Sequence, residues 1–298
     1  MSSNSSSISP VWLVVFAVLL WSTGGMFIKL ATELDAYQVT FFRSLLAGLT
    51  VLLITRRDGL RIDLFGLMCS GIYATLLFLF VWATKHTTAA NAIFLQYTAP
   101  VYILILAPFV IGERFHWRDL ATVVLCIAGM SLFFVGDLSV GDYQGNVAAL
   151  GSGIFLGLYI MLLKHPRAAG MNPVITVIYG NLLLALLTLP SGLAAFGKAG
   201  ATDYAAVAFL GVFQIGISYI LFIRGVRGGT RPLDASIIGF IEPLLNPVWV
   251  FIFVGERPSQ WAILGGAIII ATVAAHTLMQ YGSRASETEV PISTSKKL

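Results

Sequence analysis

Ten long apolar stretches constrain the fold of this 298-residue sequence more than any other feature. Each has about 18 or more residues, enough for an α-helix to cross roughly 30 Å of hydrocarbon. Composition agrees, because 57% of the residues are hydrophobic and only 11% are charged. The stretches are continuously apolar, whereas strands of a membrane barrel alternate between apolar and polar residues. The sequence predicts an all-α membrane protein with ten transmembrane helices, near 11–30, 37–55, 63–84, 88–111, 118–136, 145–163, 173–195, 204–223, 232–254 and 260–280.

The basic residues between the stretches predict the orientation of the chain. If the N-terminus is cytoplasmic, thirteen Lys and Arg residues fall on the inner side and only four on the outer side. This asymmetry follows the positive-inside rule, so both termini are predicted to be cytoplasmic. Residues 1–10 form the N-terminal segment, and 282–298, rich in Ser, Thr and charge, are predicted to be a disordered tail. No basic residue precedes the first stretch, so it is not expected to be a signal peptide.

Several classes of function are disfavoured by the residues present. The basic pI of about 9.1 is attributed to topology and anionic lipid head groups, since no basic cluster is interleaved with aromatic residues as nucleic-acid binding requires. With four His residues and no HExxH or CxxC spacing, no metal site and no cofactor are predicted. His276 is expected to hydrogen-bond across helices. No set of catalytic residues stands out, so the chain is predicted not to be an enzyme, and its oligomeric state is left open.

An internal repeat links the two halves of the chain. Pro100 is followed twelve residues later by Gly112-Glu113-Arg114, and Pro243 is followed twelve residues later by Gly255-Glu256-Arg257. These strings end the fourth and ninth stretches, so each repeat contains five helices, over 11–136 and 145–281. An odd number of spans forces the second copy to enter the membrane in the opposite direction. Two inverted five-helix repeats are typical of secondary transporters, in which two bundles rock about a central site.

Further short motifs carry a family resemblance. They are Trp21-Ser22-Thr23 in the first stretch, Phe41-Phe42-Arg43 in the second and Glu242-Pro243 in the ninth. With the Pro to Gly-Glu-Arg repeat, the chain from about 11 to 281 resembles the drug/metabolite transporter superfamily in its EamA-type branch. The resemblance implies export of small metabolites, often amino acids, across the inner (plasma) membrane. It also implies a cavity lined mainly by the first, third, fourth, sixth, eighth and ninth spans.

Within transport, amino-acid export fits best, because the helices expected around the cavity carry many aromatic residues and few charges. A neutral or zwitterionic small molecule is therefore the expected partner, besides the lipid bilayer. A phosphorylated or nucleotide-linked substrate is the alternative. It is weakened because Arg43 is the sole basic residue inside a span, and such anions usually need several cationic partners. A channel is less favoured, since it would not need a duplicated pair of kinked half-bundles.

Polar and aromatic residues within the stretches form the predicted cavity, because polar groups in hydrocarbon need a partner. Large aromatic side chains with a polar atom can both pack and hydrogen-bond there. The predicted cavity residues are Trp21, Ser22, Tyr73, Trp82, Asn91, Gln96, Tyr97, Tyr159, Gln214, Tyr219, Glu242 and Asn246.

Glu242 has two interpretations as the only acidic residue deep in a span. It could pair with a substrate amine or carry a proton, or it could satisfy backbone groups freed by Pro243 and Pro247. The second interpretation is slightly favoured. Pro100 and Pro243 are predicted to be matched hinges, although they could instead be static kinks that shape the cavity.

Arg43 also has two interpretations, about seven residues into the second stretch. Its side chain is expected to snorkel to the membrane surface or to form a structural ion pair, with binding of a substrate carboxylate as the alternative. Small residues four apart, such as Gly153 and Gly157, predict close helix contacts.

Overall fold

The computed structural model describes residues 9–55, 60–110, 112, 117–132, 140–230, 238–239 and 241–288. The part of the chain so described contains helices and no strands, which confirms the predicted all-α fold. The helices are α1 (Pro10–Ser22), α2 (Gly24–Leu30), α3 (Ala36–Thr55), α4 (Leu64–His86), α5 (Ala89–Gln96), α6 (Ala99–Val110), α7 (Trp117–Leu132), α8 (Val140–Lys164), α9 (Pro173–Leu187), α10 (Leu189–Ala195), α11 (Ala201–Phe209), α12 (Ser218–Arg227), α13 (Ile241–Val254) and α14 (Gln260–Thr288).

Each of the ten predicted stretches contains helix among its described residues. Among the described residues, five helical segments are long and apolar enough to cross a membrane, and α9 with α10 makes a sixth that bends by 64°. The remaining four spans contain the shorter helices α5, α6, α7 and α13, together with α14. For the ninth span, residues 231–237 and 240 lie outside the described residues.

Breaks in the spans follow from local chemistry. The first span is interrupted at Thr23, between Ser22 and the pair Gly24-Gly25, where the Thr23 hydroxyl donates to the Leu20 carbonyl at 2.6 Å. The fourth span is interrupted at Tyr97 and Thr98, just before Pro100, which has no N–H to continue the ladder. In the eighth span, Leu210–Ile217 is a π-helix joining α11 to α12. Such segments are rare and often occur at functional sites.

The packing of the spans repeats itself between the halves. The third span packs on the sixth, and in the same way the eighth packs on the first. The contact of the third span with the seventh corresponds to that of the eighth with the second. Likewise, the contact of the fourth span with the sixth corresponds to that of the ninth with the first. The second packs on the seventh, the fourth on the ninth and the fifth on the tenth. Every one of these contacts maps onto another, or onto itself, when spans are shifted by five, which is the signature of a pseudo-two-fold axis.

The two glycines of the repeated motif close their helices in the same way. Gly112 and Gly255 have φ angles of 70° and 79°, the left-handed region that favours glycine after the last turn of a helix. The Glu256 carboxylate accepts a hydrogen bond from the Ala89 amide, at the beginning of the fourth span, whereas Gly112 follows the end of that span. The two glycines therefore lie at opposite ends of the bundle, so the second repeat is inverted relative to the first.

Glycines also set the distance between neighbouring spans. A Cβ atom at Gly153 would lie 3.0 Å from the Leu95 carbonyl oxygen, and one at Gly157 would lie 3.1 Å from the Ala99 carbonyl oxygen. The predicted close approach at this pair is therefore confirmed, and it brings α8 against the backbone of the broken fourth span.

The C-terminal helix is longer than the sequence predicted. The last helix continues to Thr288, so the start of the disordered tail at 282 was placed too early. No proline occurs between Gln260 and Thr288 to end the helix sooner. Residues 289–298, residues 1–8, and Glu113 and Arg114 of the first repeated motif lie outside the described residues.

Candidate functional site

Four of the predicted cavity residues form one aromatic cluster inside the bundle. The Tyr73 ring lies 5.1 Å from the Tyr159 ring and 6.4 Å from the Tyr219 ring, centroid to centroid. The Trp21 ring lies 6.3 Å from the Tyr219 ring. Tyr159 also exchanges a hydrogen bond of 2.7 Å with the Thr176 hydroxyl. Trp21 and Tyr73 belong to the first repeat and Tyr159 and Tyr219 to the second, so both halves build this cluster.

Arg43 lies beside the aromatic cluster and not at the membrane surface. It is 1% exposed, and Tyr73 is the ionisable residue that interacts with it electrostatically. Its Nε and Nη2 atoms have no hydrogen-bond partner. The expectation that Arg43 snorkels is wrong, because the side chain is 1% exposed and belongs to a helix, α3, that packs against the π-helix and α9. The sole ion pair recorded among the described residues joins Lys29 and Glu256, so the structural ion pair expected for Arg43 is not found there.

A second group of predicted cavity residues surrounds the break in the first span. Ser22 accepts a hydrogen bond of 3.0 Å from the Trp249 indole nitrogen, and Gln214, carried by the π-helix, donates to the Trp21 carbonyl at 3.5 Å. Asn246 is fully buried, and neither its Nδ2 nor its Oδ1 atom has a partner. A Cβ atom at Gly25 would lie 2.3 Å from Asn246 Oδ1, so a residue with a side chain does not fit there. The amide side chains of Gln214 and Asn246 therefore approach the backbone of the first span at Gly24 and Gly25, which have no side chains.

Tyr97 and Glu242 connect the two halves next to the aligned prolines. The Tyr97 hydroxyl lies 2.9 Å from Glu242 Oε2 and 3.0 Å from the Gly239 carbonyl oxygen. A hydroxyl has one hydrogen and can donate it fully to only one acceptor. A protonated Glu242 that donates to the Tyr97 oxygen would satisfy all three groups. Tyr97 lies three residues before Pro100 and Glu242 directly precedes Pro243, so this link lies beside both predicted hinges.

The other predicted cavity residues lie elsewhere. Asn91 donates to Asn146 Oδ1 at 3.1 Å, and Gln96 donates to the Ser152 hydroxyl at 2.7 Å, so both connect the fourth span to the sixth. The Trp82 ring stacks on His86 with 4.1 Å between centroids, one turn from the end of α4. These three residues are not in contact with the aromatic cluster.

One end of the bundle, which we call the sealed end, is closed by contacts that the sequence did not predict. Lys29 Nζ lies 2.7 Å from Glu256 Oε2 and donates to the Thr87 carbonyl at 2.8 Å. Glu256 Oε1 accepts from the Ala89 amide at 2.7 Å. Lys85 donates to the Ala31 carbonyl, and Asp203 accepts from the Glu33 amide at 2.9 Å. The glutamate of the second repeated Gly-Glu-Arg motif was the one signal in the sequence that could have indicated this end.

Two grooves lie away from the interior residues described above. One, of about 890 Å³, is at the opposite end of the bundle, and one of about 450 Å³ lies between α13, α14 and α5. None of the predicted cavity residues lines either groove. The first is lined by Asp63, Leu64, Phe65, Leu67, Met68, Val110, Leu162, His165 and Arg167.

A family model for EamA-like transporters matches this chain twice, over residues 8–135 and 143–277. The chain belongs to the EamA-like transporter family. The two matches fall on the two inverted halves, so the repeat identified from the Pro to Gly-Glu-Arg motif is the repeat of the family. It follows that this EamA-like protein is a multi-pass membrane transporter that handles small molecules.

Curated relatives share the length of this EamA-like transporter at low identity. A probable terminal-alkyne amino-acid exporter from Streptantibioticus cattleyicolor is 25% identical over 88% of this chain and 91% of its own. A pseudopaline exporter from Pseudomonas aeruginosa is 24% identical over 88% and 93%. An uncharacterized transporter from Archaeoglobus fulgidus is 29% identical over 87% and 93%. One solved crystal structure, 19% identical, superposes with a TM-score of 0.61 over 93% of this chain and 98% of its own, and it supports the fold alone.

Proposed function

We propose that this EamA-like transporter exports small neutral or zwitterionic metabolites, most plainly amino acids with aromatic or hydrophobic side chains. The observation that carries the proposal is the aromatic cluster of Trp21, Tyr73, Tyr159 and Tyr219, to which each repeat contributes two rings. A site built equally by two inverted halves can be presented to either side of the membrane in turn. Rings in tilted and edge-on contact, three of which carry a hydroxyl group, suit an apolar side chain that carries polar ends. Two relatives, one named as a probable terminal-alkyne amino-acid exporter and one as a pseudopaline exporter, support export as the direction of transport.

Alternating access gives the sealed end its role in this proposal. With both termini in the cytoplasm, as the excess of basic residues on one side suggests, the sealed end faces outward in a plasma membrane. Lys29 and Glu256 would then hold the outer side closed, and export would require their separation. Pro100 and Pro243 occupy the same place in the two repeats, and each lies in the first turn of the helix that follows Tyr97 or contains Glu242, so we propose that both bend as matched hinges.

A flux measurement tests the proposal. Purified protein in liposomes should take up labelled phenylalanine or leucine with a rate that saturates, and unlabelled amino acid inside should accelerate the uptake. Empty liposomes are the control. A rate that rises linearly with concentration would favour a channel. Saturable uptake of phosphorylated compounds with none of amino acids would favour the alternative substrate class.

A labelling measurement tests the orientation. Thr32 is exposed next to the sealed end and Arg61 is exposed at the opposite end. A single cysteine replacing Thr32 should react with an impermeant maleimide added outside intact cells, and a single cysteine replacing Arg61 should react only after permeabilisation. The reverse pattern would place the termini outside.

A further inference from the structure

We propose that Arg43 is the residue that binds the carboxylate of the transported substrate; this inference rests on the function proposed above. The first step is the burial of a charge. Arg43 is 1% exposed inside the second span, and among the described residues no acidic side chain forms an ion pair with it. A buried charge without a counterion costs several kcal/mol. Such a group is retained in a membrane span when it has a task, and substrate recognition is the task that a transporter offers.

The second step is the geometry of the guanidinium. The two nitrogens without a partner are Nε and Nη2, which lie on the same edge of the planar group. That edge presents two parallel N–H bonds, the arrangement that binds a carboxylate through both of its oxygens. A structural arginine would be expected to use this edge for backbone carbonyls or an acidic side chain. In Arg43 the edge is unpartnered although the surrounding helices are closely packed.

The third step is the position of Arg43 relative to the aromatic cluster. Tyr73 is close enough to Arg43 to affect its charge electrostatically, and its ring contacts the rings of Tyr159 and Tyr219. Asn181, whose Oδ1 atom is buried and has no partner, lies near the Tyr73 side chain. A carboxylate at Arg43 would therefore place the remainder of an amino acid against the rings, with an amide oxygen close by that can accept from an ammonium group.

The fourth step is the choice between a carboxylate and a phosphate, which the same edge could also bind. A phosphate monoester carries more charge than one arginine neutralises. Among the described residues, Arg43 is the sole basic side chain that is buried, and Lys29, Lys85 and Lys164 lie at the ends of their helices. One guanidinium matches the single charge of a carboxylate, so the structure favours a carboxylate.

The test compares each ligand with its amide. Wild-type protein should be stabilised against heat by an L-amino acid such as phenylalanine, and at least about tenfold more phenylalaninamide should be needed for the same effect. In R43Q phenylalanine should lose this advantage, so that phenylalanine and phenylalaninamide bind equally weakly. In R43K the preference for phenylalanine should be intermediate, because lysine keeps the positive charge but lacks the two parallel N–H bonds of the guanidinium. The matched control is R224Q, which removes an exposed arginine from the end of α12 and should keep the full preference for the acid.

The outcomes separate this inference from the function on which it rests. Wild-type protein that binds no amino acid overturns both. Wild-type protein that binds acid and amide equally, or an R43Q variant that keeps the preference for the acid, overturns the assignment of Arg43 while export of amino acids stands. Tighter binding of inorganic phosphate than of an amino acid by wild type would also overturn it. If R43Q does not fold, the comparison of acid with amide on wild type and R43K decides the question.

Discussion

The sealed end and the interior of this transporter treat polar side chains in opposite ways. At the sealed end Lys29 and Glu256 are about one-fifth exposed, and both have partners from other spans. In the interior Arg43, Gln214 and Asn246 are at least 95% buried, and each keeps at least one polar atom without a partner. A buried polar group that is not paired costs about 1–3 kcal/mol. The difference agrees with an end that closes through its own contacts, and with the proposal that the interior binds the polar groups of a substrate.

The largest expected effect is a loss of stability where the π-helix packs against the backbone of α3 at Arg43. A Cβ atom at Gly211, in the π-helix, would lie 2.7 Å from the Arg43 carbonyl oxygen and 2.6 Å from Leu46 Cβ. Gly211→Ala should lower stability by about 1–3 kcal/mol, because the backbone of α3 cannot move away freely. Thermal unfolding in detergent measures this loss. The control is Gly71→Ala in α4, where a Cβ atom meets nothing within 4 Å and where alanine should not destabilise. Equal stability of the two variants would show that the interior is loosely packed.

The next effect concerns the seal itself. In Glu256→Gln the ion pair with Lys29 is lost and the hydrogen bond to the Ala89 amide is weakened, so the sealed end should open more often. A cysteine replacing Ala31, which is fully buried beside Lys85, should then react with maleimide a few times faster, as expected for a partly exposed pair worth about 1 kcal/mol. Cys69 and Cys126 are replaced by alanine in the background. Glu33→Gln, at an exposed carboxylate of the same end, is the control. An unchanged labelling rate would mean that the ion pair does not hold the end closed.

A smaller effect is expected at the link between the hinges. If Glu242 has a structural task, Glu242→Gln should keep uptake into liposomes, since glutamine can donate to the Tyr97 oxygen as a protonated carboxyl would. Stability should fall by about 1 kcal/mol or less. Tyr97→Phe removes the hydroxyl and should cost somewhat more, because Glu242 and Gly239 both lose their contact. Loss of uptake in a folded Glu242→Gln protein would instead assign the carboxyl to substrate or proton binding.

The smallest effect is predicted at Trp82. Its ring stacks on His86 and lies edge-on to the exposed Tyr37, away from Arg43 and the aromatic cluster. Trp82→Phe should therefore change the Michaelis constant for uptake by less than about twofold and stability by about 0.5 kcal/mol or less. Trp21→Phe, the same change within the cluster, is the matched comparison. A larger effect at Trp82 than at Trp21 would move the site toward the sealed end.

The sequence by itself was enough to predict that the chain lies in a lipid bilayer, how many spans it has, and that its two halves are inverted. Each span can be predicted on its own, because it is a local run of apolar residues. A tandem repeat with an odd number of spans must also place its second copy in the opposite orientation. The sequence also predicted Tyr73, Tyr159 and Tyr219 as cavity residues, because a polar atom on a large ring inside hydrocarbon needs a partner; the structure brings the three rings together. Gly112 and Gly255 recur in the motif because both must adopt a positive φ angle at the end of a helix.

Only the tertiary structure decided which of the polar residues meet. In the sequence, the apolar segments around Asn91, Gln96 and Trp82 look the same as those around Gln214 and Asn246. In the structure, Asn91 and Gln96 connect the fourth span to the sixth, and Trp82 lies near the sealed end. Arg43 is near the end of its span in sequence, so a flexible side chain could have reached water. Whether it does depends on what packs over it, and the π-helix and α9 come from the other repeat. Contacts between residues more than 130 positions apart are set by the packing of the two halves, which no local pattern encodes.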